Sequence, residues 1–210
     1  MLTALRRGLL VLMAALPLLA TAAPTAHEVV QDTTSRLLAD LKTNKERYRS
    51  DPAAFYDALN EILGSVVDAD GISRSIMTVK YLGRATPEQI TRFQDNFKRS
   101  LMQFYGNALL EYNNQDIRVL PGRQQDPERA TVEMEIKDGK GTLYPLSYTM
   151  VKKGDAWMMR NVIINGINVG KLFRDQFAQS MQDNGEDLDK VIDTWSDTVA
   201  RAKQQTKVTP

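Results

Sequence analysis

The sequence predicts an α+β domain, a curved antiparallel sheet of about four strands wrapped by amphipathic helices. Three observations carry that assignment. Apolar residues recur at helical spacing from Val30 to Tyr112, alternate with a period of two from Val132 to Ile164, and return to helical spacing from Val169 to Val199. Helices segregated from an antiparallel meander form an α+β layer arrangement.

The first helix is read from Val30, Thr34, Leu37, Leu38 and Leu41, with Asn44 at its expected end. Asp51-Pro52 places an N-cap before a proline at the first helical position. Phe55, Leu59, Ile62 and Leu63 then form a stripe closed by Gly64. Ile72, Ile76, Val79 and Leu82 make a third stripe up to Gly83. Thr86 with Gln89 three residues later is a capping box, and Pro87 suits the opening turn. The fourth and longest helix carries Ile90, Phe93, Phe97, Leu101, Phe104, Tyr105, Ala108 and Tyr112.

The period then changes. Ile117–Leu120 is a first strand, closed by Pro121-Gly122. Val132, Met134 and Ile136 alternate with Glu133 and Glu135, so one face of the second strand is wet. Asp138-Gly139-Lys140-Gly141 turns into Leu143–Lys153, which has Tyr144, Leu146, Tyr148 and Met150 on one face. Lys153-Gly154-Asp155 turns again into Ala156–Ile164. Gly166 and Gly170 flank the exit into two last helices. Their stripes are Val169, Phe173, Phe177 and Met181, then Leu188, Val191, Ile192, Trp195 and Val199.

The N-terminus reads as an export signal. Arg6 and Arg7 precede an apolar run, Gly8–Leu19, and Ala20-Thr21-Ala22 is a small-x-small cleavage site. Residues 1–22 are therefore a signal peptide, and 23–210 the mature domain, exported and soluble. The apolar run is short for a membrane anchor, which needs about 20 residues. The chain has no cysteine, so neither a disulfide framework nor lipoprotein acylation is available. Without the leader, 25 basic residues face 26 acidic ones. That balance gives no case for nucleic acid or for an anionic lipid surface as partner.

Chemistry is sparsely represented. The single histidine, His27, lies near the mature terminus, where chains are commonly loose, and is a poor triad base. Gly139-Lys140-Gly141-Thr142 ends like a phosphate loop but lacks the leading glycine and sits in a hairpin. Asp68-Ala69-Asp70-Gly71 fails as a calcium loop, because Val66 and Met77 fall on its first and last ligand positions. These aspartates suit a helix start instead, as do Asp187 and Asp189. Glu133 and Glu135 share a strand face, the solvated one. No metal or cofactor is expected, and no catalytic residue.

The run Ile72–Tyr112, with Leu82-Gly83, Thr86-Pro87, Gln89, Phe93, Phe97, Tyr105-Gly106 and Tyr112, resembles the periplasmic phospholipid-binding proteins of the toluene-tolerance (Mla) lipid-transport pathway, the MlaC family. Trp157–Asn168 is similar to that family's motif at the end of the sheet. Here Asn161, Asn165 and Asn168 stand in place of two acidic residues and a serine, so no specific role is carried over to those polar groups. Counting the export signal, about three quarters of the chain follows the family plan.

The resemblance implies a monomeric periplasmic shuttle holding glycerophospholipid acyl chains in an apolar pocket between sheet and helices. Such carriers exchange lipid with an outer-membrane lipoprotein–porin complex and an inner-membrane ABC transporter bearing a substrate-binding ring, maintaining outer-membrane lipid asymmetry. The lining is then expected from Ile72, Ile76, Phe97, Leu101, Tyr105 and Phe173 on helices. From the strands come Val132, Met134, Leu146, Tyr148, Met150, Met159, Val162 and Ile164. The methionines among them suit varied acyl shapes. The same stripes are also what an ordinary filled core would show. Two alternatives therefore stand beside the carrier: a non-catalytic adaptor of an envelope complex, and a cone-fold enzyme using Tyr144, Tyr148 or Asp116 on an apolar substrate.

Overall fold

A computed structural model describes residues 23–113, 115–122 and 126–206, with side chains except those of 103–105, 107–108 and 202–206. The expected signal peptide, 1–22, lies outside the described residues. Helices α1 (Ala26–Ser50), α2 (Pro52–Leu63), α3 (Ala69–Leu82) and α4 (Pro87–Leu110) come first. Strands β1 (Asp116–Val119), β2 (Arg129–Lys137), β3 (Leu143–Lys153), β4 (Ala156–Ile164) and β5 (Ile167–Asn168) follow. Helices α5 (Val169–Asp183), α6 (Leu188–Asp193) and α7 (Trp195–Thr206) complete the order.

The expected caps form where their chemistry places them. Asp51 accepts from Ala54 N–H ahead of Pro52. Thr86 and Gln89 close their reciprocal box at 2.9 and 3.2 Å. Helix α1 nevertheless runs past Asn44 to Ser50. Asn44 does not stop it because its amide donates to Asp40 one turn back, at 2.7 Å. Tyr48, buried in that extra turn, also donates to Asp40, and burial first and this bond second push its phenol up to about 12. Asp51-Pro52 ends the helix instead.

Helix α3 departs from its expected stripe. Thr78 has φ 60° and ψ 164°, outside helical space, and this break rotates the last turn. Met77 and Tyr81 enter the core, while Val79, expected inside, is 89% exposed. The turn is tied to the α5–α6 corner by Glu186, whose carboxylate takes Lys80, Arg84 and the Tyr81 hydroxyl. The last expected helix is two, α6 and α7, interrupted at Thr194.

The sheet is open and antiparallel, in the order β1-β2-β3-β4-β5. The short fifth strand follows the two-residue turn Asn165-Gly166, both at positive φ, the primed geometry that favours this dipeptide. Val132 lies opposite Tyr148, and Met134 opposite Leu146. A bulge shifts the β3–β4 register: Thr149 faces Asn161, but Met150 faces Met159, leaving Arg160 as the extra residue. This brings Met159 onto the same face as Val162 and Ile164 although their numbers differ in parity. Glu133 sits on the opposite face, accepting from the Ser147 hydroxyl.

Apolar packing falls into three clusters. The largest joins α3–α7 around Trp195, whose ring lies 5.0 Å from Phe93 and 5.8 Å from Phe177. A second lines the inner sheet face under Ala26 and Val30 of α1. The third fills the junction of α1, α2 and α4 around Leu41, Phe55 and Leu59.

One buried carboxylate connects helices to sheet. The Val66–Asp68 backbone pairs with Met159 like a short parallel strand: Met159 N–H donates to Val66 at 2.7 Å, and Asp68 N–H to Met159 at 3.0 Å. The Asp68 side chain, 3% exposed, caps α3 at Gly71 N–H and accepts from Lys153 and Arg160, at 2.6 Å each. Gly71 is required there, because a Cβ would run into both Asp68 and Arg160.

Burial alone would raise the Asp68 pKa, but Lys153, the Gly71 amide and Arg160 together hold it below its ordinary 3.8. Its contribution to stability is thus complete above that ordinary value and is lost as pH falls through the lower folded value. Asp68→Ala should cost about 3 kcal/mol. The stability gap between wild type and Asp68→Asn should narrow below about pH 4, as read by urea denaturation across pH. At Thr78, glycine fits the backbone without strain, so Thr78→Gly should stabilise by about 1 kcal/mol after the entropy it adds to the unfolded chain. A destabilised Thr78→Gly protein in thermal melts would show that the side chain, not the strain, dominates.

Candidate functional site

The inner sheet face is apolar along its length. On β3 it presents Leu146, Tyr148 and Met150; β2 adds Val132 and Met134, and β4 adds Met159, Val162 and Ile164. Three helices approach the sheet: α1 crosses β1, β2 and β4, while α3 and α5 meet β4. Helix α5 is held there by Asn161, which accepts from Gly170 N–H at 3.0 Å and donates to Asn168, the cap of α5. Asparagine at 161 and 168 therefore has structural work that the sequence did not reveal. Among the described residues, no strand packs closely against α4. The longest aromatic helix stands back from the sheet.

The predicted lining residues divide across this arrangement. Ile76, Phe97 and Phe173 are buried in the aromatic helical cluster, with Ile72 and Leu101 at its edge. Phe97 packs edge-on against Phe173 at 5.4 Å. Val132, Met134, Leu146 and Met150 are buried on the sheet face, and Tyr148, Met159 and Ile164 pack half-buried beside them. Val162, opposite Tyr148, belongs to neither cluster and is half-buried. The side chain of Tyr105 lies outside those described.

Tyr148 is unusual among them. It sits on β3, the middle strand, facing the helices between buried Val132, Leu146 and Met150. Burial alone pushes its phenol upward, and the hydroxyl has no hydrogen-bond partner among the described residues. Yet the side chain retains accessible surface.

The other polar candidates lie elsewhere. Asp116 is exposed and paired with Arg118 across one residue of β1. Tyr144 donates to Asp138 in the β2–β3 turn. His27, expected to be loose, is anchored by a 2.7 Å bond from its Nε2 to the Leu120 carbonyl. Asp187 caps α6 as expected. A surface hollow of about 760 Å³ between α1 and α2, bordered by Arg36, Asp40, Arg47 and Asp57, contains none of the predicted lining residues. Among the described residues there is no metal-binding cluster, and no helix is long and apolar enough to cross a membrane.

The geometry has counterparts among known proteins. A phospholipid-binding protein from Ralstonia solanacearum, solved in complex with a phospholipid, superposes with a TM-score of 0.77. The match covers 85% of this chain and 99% of that one, and at 21% identity it shows a shared fold. The toluene tolerance protein ttg2D of Pseudomonas putida is 65% identical across all 210 residues and 98% of its own length. The family model described as MlaC protein matches residues 31–197. On these grounds the chain belongs to the MlaC family.

Proposed function

We propose that this protein is a non-catalytic carrier of glycerophospholipid, exported to the periplasm after cleavage near Ala22. In this reading residues 23–210 form a single lipid-binding domain, monomeric, that passes lipid between an outer-membrane lipoprotein–porin complex and an inner-membrane ABC transporter with a substrate-binding ring. Its activity then maintains outer-membrane lipid asymmetry. The observation that carries the reading is an apolar inner sheet face on which Tyr148, Met159, Val162 and Ile164 keep accessible surface although α1 crosses it. The phospholipid held by the Ralstonia protein of the same fold supports it.

Of the predicted lining, the half-buried residues fit acyl contact best: Tyr148, Met159, Val162 and Ile164 from the sheet, and Leu101 from α4. Ile76, Phe97 and Phe173 already have aromatic and aliphatic neighbours and form the back wall of the helical side.

The energetics suit exchange. Two acyl chains of about thirty methylenes are worth roughly 24 kcal/mol against water at about 0.8 kcal/mol each. Area counting overshoots there, since affinities saturate near 18–21 kcal/mol. Against a bilayer, where the chains are already out of water, the balance is only a few kcal/mol, so loading and release are both accessible. Direction then comes from the partner complexes and from ATP.

Native mass spectrometry of gently purified protein should show bound phospholipid, and stripping it should lower the melting temperature, as linkage requires of a ligand bound only by the folded state. Val162→Trp, which adds bulk beside Tyr148 on this half-buried face, should fold but retain less lipid. A wild-type protein that purifies empty and melts unchanged after extraction would refute the carrier.

A further inference from the structure

We propose that the hollow between α1 and α2 is a docking groove for a helix of another protein, one with an acidic row along one edge and a basic row along the other. The inference is independent of the carrier reading, because none of the predicted lipid-lining residues borders this hollow. It starts from helical spacing. Arg36, Asp40, Asn44 and Arg47 share one face of α1, and Ala54, Asp57, Ala58 and Glu61 share one face of α2. Together these faces border the hollow of about 760 Å³. Small side chains at Ala39, Ala53, Ala54 and Ala58 leave it open, with buried Tyr48 and Ile62 among its borders.

The charges around the hollow are sorted by wall. Asp40 is already engaged within α1, one oxygen accepting from the Asn44 amide and the other from the Tyr48 hydroxyl. Asp51, at the corner, caps α2. What faces a visitor is then Arg36 and Arg47 on α1, and Asp57 and Glu61 on α2. All four are exposed, and among the described residues no ion pair crosses from one wall to the other. Arg36 reaches Asp32 of its own helix at 3.9 Å.

Size selects the occupant. Arg36 and Arg47 are separated by three turns of α1, about 16 Å. A single zwitterionic head group or amino acid cannot meet both, whereas a helix of three turns can. A second copy of this chain would set hollow against hollow, and two concave faces leave a void between them. A helix is convex, and its rows of side chains match the repeat of the walls. Its edge toward α1 must carry Asp or Glu, its edge toward α2 Lys or Arg, with small or aliphatic residues over the alanines. Charge pairs of this kind fix register and choice of partner more than raw affinity.

The test is site-specific photocrosslinking of the full chain in intact cells of its native host. Benzoylphenylalanine is placed at Ala39 or Ala53, both exposed at the hollow, and at exposed Leu143 of β3 as the control. The trapped peptide is sequenced by mass spectrometry. Ala39 and Ala53 should trap the same segment, well above the yield at Leu143, and that segment should hold acidic and basic residues in separate rows at helical spacing. Asp57→Lys with Glu61→Lys should cut the yield about tenfold or more, because like charges then meet across the groove. Arg36→Glu with Arg47→Glu should do the same from the opposite wall. Both double variants should keep the wild-type melting temperature and bound phospholipid; should one of them unfold, the other decides. The groove is overturned by yields no higher than at Leu143, by a trapped second copy of this chain, by a trapped segment without the two rows, or by yields that survive the reversals. A wild type that carries no phospholipid yet gives the expected adduct would overturn the carrier and leave the groove standing.

Discussion

Burying the Asp68 carboxylate at the start of α3 carries a desolvation penalty that its cationic partners must offset, and in this fold they come from the sheet. Lys153 at the end of β3 and Arg160 in the bulge of β4 supply them, while the backbone beside Asp68 pairs with Met159. The requirement pins α3 to the free edge of β4. Asn161 pins α5 to the same strand through Gly170. With α3 and α5 hung from one edge and α1 laid across the face, α4 packs against its fellow helices and is kept away from the strands. The half-buried surface around Tyr148 is therefore a consequence of how the layers are joined.

The helical and the sheet-side apolar clusters differ in character. Behind α4 the rings of Phe93, Phe97, Phe173, Phe177 and Trp195 meet at centroid separations of 5.0–6.3 Å, with buried aliphatic residues around them. This is a filled interior that holds the helices together. The sheet side is built from methionine and branched aliphatic residues, several only half-buried, which adjust to a varied surface at little cost.

Much of this was legible in the sequence because local signals agreed with the final structure. The Thr86–Gln89 box, the Asp51-Pro52 stop and the alternation around Met134 each encode their element without help from distant residues. The family resemblance supplied the expectation of a pocket, which periodicity cannot separate from a packed core. What escaped the sequence was tertiary. Val79 reads as buried until the Thr78 backbone leaves helical space and turns it outward. Asn44 reads as a terminator until its amide is seen to bond within the helix. The partners of Asp68 lie 85 and 92 residues away, and no local pattern announces them. Aromatic stripes on α4 and α5 looked like lining, yet those rings face one another.

The extra residue at Arg160 also bears on how this strand can change over time. Because side chains alternate, adding a further position between Trp157 and Asn161 would swap the inward and outward sets on one half of β4. The insertion would either turn Val162 and Ile164 to solvent or carry Trp157 and Met159 away from the interior. Deleting Arg160 would instead straighten the strand and keep both sets facing as they do, but the Asp68 anchor would lose its guanidinium. Length variation among descendants of this gene should thus be tolerated in the hairpins at either end of the strand, and purged from its middle.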